Sequence, residues 1–258
     1  DLVIADKLIH ASLIDGISLS GATLHRYQHL DLEHCENLLK KYRHQFRHVL
    51  LLSESVFSMD GDIADIKKLV KLKKAYNMHL MIDEAHALGI FGSKGAGLCI
   101  EESQDIDFIV GTFAKACGSA GAFIALSDTF KQLLVNRCRS FIYSTALPLP
   151  VLQWNNHAID VIKKSDSKRQ QLSQNAHWFK QQLNALELKT LGQSHIIPVL
   201  GDSISWLNKL KSCFNEKHIW VPLIQAPTVK RGSERFRFSI TTHHTKDQLH
   251  DIVNIFKN

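Results

Sequence analysis

Met78-His79-Leu80-Met81-Ile82-Asp83-Glu84-Ala85-His86 is the stretch whose reading decides the fold. Met78 to Ile82 is a mostly apolar run, the pattern of a strand covered on both faces, and Asp83 ends it. A carboxylate and, three residues on, an imidazole thus arrive together at the carboxyl end of a buried strand. Similar runs lie on either side. His48 to Glu54 carries Val49-Leu50-Leu51-Leu52, and further strands are expected at Leu24–Gln28, Phe108–Thr112 and Ala122–Leu126. Helices are expected at 8–18, at 32–42 and from Ile63 to near Asn77. In the last of these Ile63, Ile66, Leu69 and Val70 share one face while Lys67, Lys68, Lys71, Lys73 and Lys74 face solvent. Ser58-Met59-Asp60-Gly61-Asp62 reads as a turn ending in a helix cap. The alternation predicts an α/β fold with a mostly parallel sheet, in which ligands sit beyond the carboxyl ends of the strands.

The pattern changes near Pro148 and Pro150. Residues 151–187 read as one or two long helices. Strands at Ile196–Leu200, Trp220–Ile224 and Phe236–Ile240 then mix with helices at Ser203–Glu216 and Lys246–Phe256. The expected organisation is a large domain over 1–150, a connecting helical region over 151–187 and a small α+β domain over 188–258. The 258 residues are 45% hydrophobic and 22% charged, which excludes collagen, coiled coil and wholesale disorder. No apolar run approaches the roughly 18 residues of a membrane span, so no membrane partner is expected. Five cysteines without a Cys-x-x-Cys pair fit a reducing cytoplasm. The net charge of +6 permits an anionic partner, but no aromatic-basic interleaving supports nucleic acid. The histidines at 25, 29, 34, 243 and 244 lack a companion Glu or Cys, so no metal site is expected.

Asp83-Glu84-Ala85-His86 has three readings. As a helicase-type acidic motif it needs a Gly-x-x-x-x-Gly-Lys-[Ser/Thr] loop upstream, and none is present. As a capped turn it needs only an Asp and a surface His. As a ring-binding pair, the Asp holds a ring nitrogen and the His a ring oxygen. Lys115 follows the strand Phe108–Thr112, among Ala114, Ala116, Gly118 and Ala120. Small neighbours leave room for a bulky group on the amine, and a desolvated lysine favours Schiff-base chemistry. The alternative is a lysine that anchors a loop. An Asp at one strand end and a Lys at a later one are together what pyridoxal phosphate (PLP) requires.

Ser55-Val56-Phe57-Ser58-Met59-Asp60-Gly61-Asp62, Asp83-Glu84-Ala85-His86 with Gly89, and Thr112-Phe113-Ala114-Lys115-Ala116 with Gly118 and Gly121 occur in an order and spacing that closely resemble the α-oxoamine synthases, a branch of the fold-type I PLP enzymes. The resemblance runs from Ala5-Asp6 and His10-Ala11-Ser12 to Arg235-Phe236-Arg237. It implies an aspartate aminotransferase-like large domain with a small C-terminal domain, and an enzyme that joins an amino acid to an acyl thioester with loss of CO₂. Thr112–Lys115, Phe141–Pro148, Ala226–Val229 and the Arg-x-Arg strand are most similar to members using L-alanine and a pimeloyl thioester, carried by CoA or a carrier protein, on the route to biotin. Gln225 departs from an arginine common there. Glycine with acetyl-CoA, or a non-catalytic remnant or partner subunit, are the alternatives.

The resemblance also implies roles. Lys115 holds PLP and shuttles the α-proton, and Asp83 pairs with the pyridine nitrogen. His86 and Ser58 bond the ring's phenolic oxygen, His10 stacks on the ring, and Thr112 binds the phosphate. Ser144 and Thr145 approach the phosphate of the neighbouring subunit in a homodimer. Arg235 holds the substrate carboxylate. Alone, His10 reads equally as a capping or core histidine, and Arg235 as an exposed strand arginine. The opening at Asp1, inside a strand, leads to the expectation of an upstream segment that carries an arm, further strands and a Gly-rich phosphate cradle.

Overall fold

The computed structural model describes residues 1–257 and divides into two compact units. The first comprises Asp1–Phe57 and Ala64–Asp166; the second comprises Ser58–Ile63 and the chain from Ser167 onward.

In the first unit β1 (Leu2–Asp6), β2 (Thr23–Tyr27), β3 (Val49–Glu54), β4 (His79–Asp83) and β5 (Phe108–Thr112) form a parallel sheet, and β6 (Ala122–Ala125) joins its edge antiparallel to β5. The order is β2-β1-β3-β4-β5-β6. All five β1 residues are buried, as the continuous apolar runs require of strands covered on both faces. Helices α1 (Ala11–Ser20), α2 (Leu32–Tyr42) and α3 (Ile66–Ala75) fill the crossovers. Asp31 caps α2 by accepting from His34 N, and Asp65 caps α3 by accepting from Lys68 N. Leu39, Leu69 and Val70 join Ile4, Leu51, Leu80 and Ile82 in the core. After the sheet come α4 (Asp128–Arg137), the short α5 (Arg139–Ile142) and α6 (Leu149–Lys163).

The second unit packs α7 (Asp166–Ala185), α8 (Ile204–Glu216) and α9 (Lys246–Ile255) with an antiparallel sheet of β7 (Ile196–Leu200), β9 (Arg235–Ser239) and β8 (Leu223–Ile224), in that order. Its centre is aromatic: Phe214 meets Phe236 at 5.1 Å and Phe179 meets Phe238 at 5.3 Å, both edge-to-face.

Three departures from the sequence reading have local causes. Helix α3 begins at Ile66 and not near Ile63, because 58–63 belongs to the second unit. There Gly61 O accepts from Gln193 N, and Asp62 Oδ1 accepts from Gly192 N. Gly61 has φ +68°, and a Cβ on it would stand 2.2 Å from Ile196 O. The expected strand Trp220–Ile224 contracts to Leu223–Ile224, which pair with Phe236 and Arg235 of β9. Helices α4 and α5 were not anticipated; Ser127 caps α4 through Phe130 N. All five cysteines are free, and among the described residues no helix is long and apolar enough to cross a membrane.

Candidate active site

Parallel pairing fixes one chemical edge of the first unit. Register places Glu54 beside Asp83 and Asp83 beside Val110, so the loops after β3, β4 and β5 leave neighbouring strands at the same side. Asp83 is half-buried, and its Oδ1 accepts from Ala85 N at 2.8 Å, which turns the chain directly after β4. Glu84 N then donates to Val110 O at 2.8 Å, and His86 lies half-buried in the following turn.

Glu84 is the residue of this motif that sequence reasoning left without a role. It is 2% exposed and accepts from Leu98 N at 3.2 Å and from Cys99 N at 3.3 Å. Burial pushes its carboxyl above the usual range, against hydrogen bonds from Ser55, Cys99 and Leu98. Gly97, with φ +98°, lies against it: a Cβ there would stand 1.6 Å from Glu84 Oε2. The clustered glycines 92, 95 and 97 were the available signal, since a backbone that must approach a buried side chain closely selects glycine.

Lys115 stands at the crest of the β5–β6 connection. The loop closes on itself through Phe113 N to Gly121 O, Ser119 N to Phe113 O and Gly118 N to Lys115 O, at 2.9 to 3.0 Å. Thr112 Oγ1 bridges it, donating to Gly121 O and accepting from Ala114 N, both at 3.2 Å. Lys115 is exposed in this chain and not desolvated as expected; of residues 114–118 only Cys117 is buried, because the small side chains cover nothing. Ser144 and Thr145 lie on the exposed segment after α5.

At the end of β1, Asp6 is fully buried and accepts from Leu8 N and Leu30 N at 2.8 Å and from His29 Nδ1 at 2.9 Å. It thereby shapes the loop that delivers His10. His10 itself caps α1, its Nδ1 accepting from Ser12 N at 3.3 Å, and is exposed.

In the second unit Ser58 O accepts from Arg237 Nε at 2.6 Å. Arg235, expected on a substrate carboxylate, is 6% exposed; its Nη1 pairs with Asp60 and its Nε donates to Ser233 O. Arg237 is half-buried, and its guanidinium donates to the neutral Ser58 O and Ser239 Oγ. Burial disfavours its charge, yet a guanidinium keeps its proton throughout the accessible pH range. Beside it, burial and the Arg237 charge push the His195 imidazole down to about 4.

A lysine at the end of one parallel strand beside an acid and a histidine at the end of its neighbour is a donor set that suits a phosphorylated pyridine aldehyde. The family model for aminotransferase class I and II matches residues 1–256. The chain is 40% identical over 263 residues to the 8-amino-7-oxononanoate synthase of Haemophilus ducreyi, covering 98% of this chain and 67% of that protein. Among solved structures it is similar to the 8-amino-7-oxononanoate synthase of Francisella tularensis (TM-score 0.84, 30% identity, 99% of this chain and 74% of that one). It is also similar to a serine palmitoyltransferase with PLP (TM-score 0.91, 28% identity, 99% of this chain and 65% of that one). The chain thus spans about two thirds of the length of the curated relatives it matches. Motif order, strand topology and this likeness across nearly the whole chain agree: the chain belongs to the class I and II aminotransferase family, on its 8-amino-7-oxononanoate synthase branch.

Proposed function

We propose that this chain carries the lysine-bearing part of a PLP-dependent C-acyltransferase that condenses L-alanine with a pimeloyl thioester, giving 8-amino-7-oxononanoate, CO₂ and the free thiol. The observation that carries this reading is the juxtaposition of the Lys115 loop and the Asp83–His86 turn at the ends of paired strands. The product in this reading is the one in the names of the 8-amino-7-oxononanoate synthase relatives, and the motif resemblance implies L-alanine and a pimeloyl thioester as its substrates.

Bound PLP would supply an electron sink for the carbon that loses a proton and later CO₂. The residues of the chain do the rest. Asp83, steadied by Ala85 N, pairs with the ring nitrogen and keeps it protonated. Lys115 would hold the cofactor through Nζ, and its free amine would carry the α-proton as a general base. His86 and Ser58 would hold the ring oxygen, and His10, whose Nδ1 caps α1, would contact the ring. Thr112, with Ser144 and Thr145 of a second subunit, holds phosphate.

For the substrate carboxylate the β9 strand offers two guanidiniums. Asp60 neutralises Arg235, so Arg237, which has no acidic partner among the described residues, takes that role. The exposed apolar side chains Phe141, Ile142, Tyr143 and Leu149 fit burial in a homodimer. An acyl thioester must be kept from water, which such an interface also serves.

The test is direct. The chain with PLP is expected to absorb in the visible, and borohydride to fix the cofactor on Lys115. A band that survives Lys115→Ala, or turnover of glycine with acetyl-CoA but not of alanine with a pimeloyl thioester, would sink the site or the substrate assignment respectively.

A further inference from the structure

The loop that carries Lys115 is closed by its own backbone, but closure does not fix where its crest stands. That is set from outside, by two adjacent residues of α6. Trp154 Nε1 donates to Cys117 O at 2.9 Å, and Asn155 Nδ2 donates to Ala120 O at 3.2 Å. The two carbonyls lie two and five positions beyond Lys115.

Neither side chain is placed there by burial of apolar surface alone. Trp154 is 52% exposed, so half of a large ring is left in solvent while its one polar atom reaches the loop. Asn155 is the opposite: it is 4% exposed, and its Oδ1 has no donor among the described residues. A buried amide with half its capacity unused is costly, so the bond to Ala120 is what holds it. A third restraint is steric. A Cβ on Gly89 would stand 2.7 Å from Ala116 Cβ and 3.3 Å from Ile162 Cδ1, so the turn after β4, the lysine loop and α6 are in close contact.

We infer that Trp154 and Asn155 are positioning residues for Lys115. They act through the Cys117 and Ala120 carbonyls. A lysine amine sits on four rotatable carbons, so the backbone from which it starts must be fixed for the amine to return to one place after each displacement. The inference rests on the proposed role of Lys115.

Trp154→Phe keeps an aromatic ring while removing the N–H with part of the indole; Asn155→Leu keeps the branched shape, with larger methyl groups, and removes the amide. The full chain loaded with PLP is followed by its visible band, which gives the cofactor release rate, and by hydrogen exchange of the loop amides. Each single variant is expected to release PLP several-fold faster and the pair about tenfold faster, as expected for losing two modest hydrogen bonds. Exchange is expected to quicken at Gly118 and Ser119 and to stay at wild-type rates in β1–β4, a pattern that general destabilisation does not give. Trp154→His, which restores a ring N–H, is expected to recover part of the loss. Release and loop exchange within about twofold of wild type in both single variants overturn the inference, because a bond worth about 1 kcal/mol must show more. If borohydride fixes no PLP on Lys115 of the wild-type chain, the proposed function falls and this role with it. If wild-type labelling succeeds and the variants match it, only this role falls.

Discussion

Glu84 shows how a single buried side chain sets a pH dependence. Burial raises its carboxyl above the ordinary value, so between the unfolded and folded values the native state holds more protons than the unfolded one. Its contribution to stability is complete below the ordinary Glu range and is lost as pH rises through the folded value. Glu84→Gln removes that titration. Urea midpoints of the variant and wild type are expected to diverge in the variant's favour as pH rises from acid to neutral; parallel curves would refute the assignment. The two arginines of β9 differ in kind. Arg235→Gln leaves Asp60 buried without its cation and is expected to cost about 3 kcal/mol in unfolding free energy. Arg237→Gln is expected to leave the unfolding curve near wild type and raise KM for the amino acid by about tenfold or more, as expected for losing a charge-assisted pair. The reverse pattern would return the carboxylate to Arg235. The resemblance put the substrate carboxylate on Arg235, and the sequence near the pair could not show that Arg235 already has an acid, because Asp60 is 175 positions away.

The elements divide into those set by their own residues and those set by neighbours. Strands β3, β4 and β5 were legible because each is an apolar run, and the α2 and α3 faces because Leu39, Leu69 and Val70 recur at helical spacing. Helix α4 escaped because it buries none of its residues and so carries no stripe to read. The connection from His86 to Cys99 has neither strand nor α-helix, yet its backbone is cross-tied, Gly89 N donating to Gly95 O at 2.8 Å and Gly97 N to Phe91 O at 2.9 Å. Its glycines admit left-handed backbone, and Glu84 ties Leu98 and Cys99 to the end of β4. Gly97→Ala forces a Cβ into the Glu84 carboxylate at a φ of +98°. It is expected to cost about 2 kcal/mol or more and to weaken the visible circular dichroism of bound PLP, since the Asp83 turn shares that brace. An unchanged melting curve and spectrum would show that the loop yields without cost.

For the molecule as a whole, the exposed apolar surface of residues 141–149 is the feature that a lone chain does not explain. Phe141 is 65% and Tyr143 73% exposed, and Leu149 is 67%. Sedimentation is expected to show self-association that Phe141→Asp with Tyr143→Asp abolishes; a single-chain mass at every concentration would refute the homodimer. The sequence by itself determined the α/β alternation and the placing of Asp83, His86 and Lys115 at or just after strand ends. Each of these depends on residues close together along the chain: a strand buried on both faces, the turn after it, the small residues around a lysine. Only the tertiary structure decided that Asp60 neutralises Arg235, that Glu84 lies buried beneath Gly97, that 58–63 belongs to the second unit, and that α6 braces the lysine loop. Those are hydrogen bonds and close approaches between segments far apart in sequence, and burial and partner are properties of packing that no spacing of residues encodes.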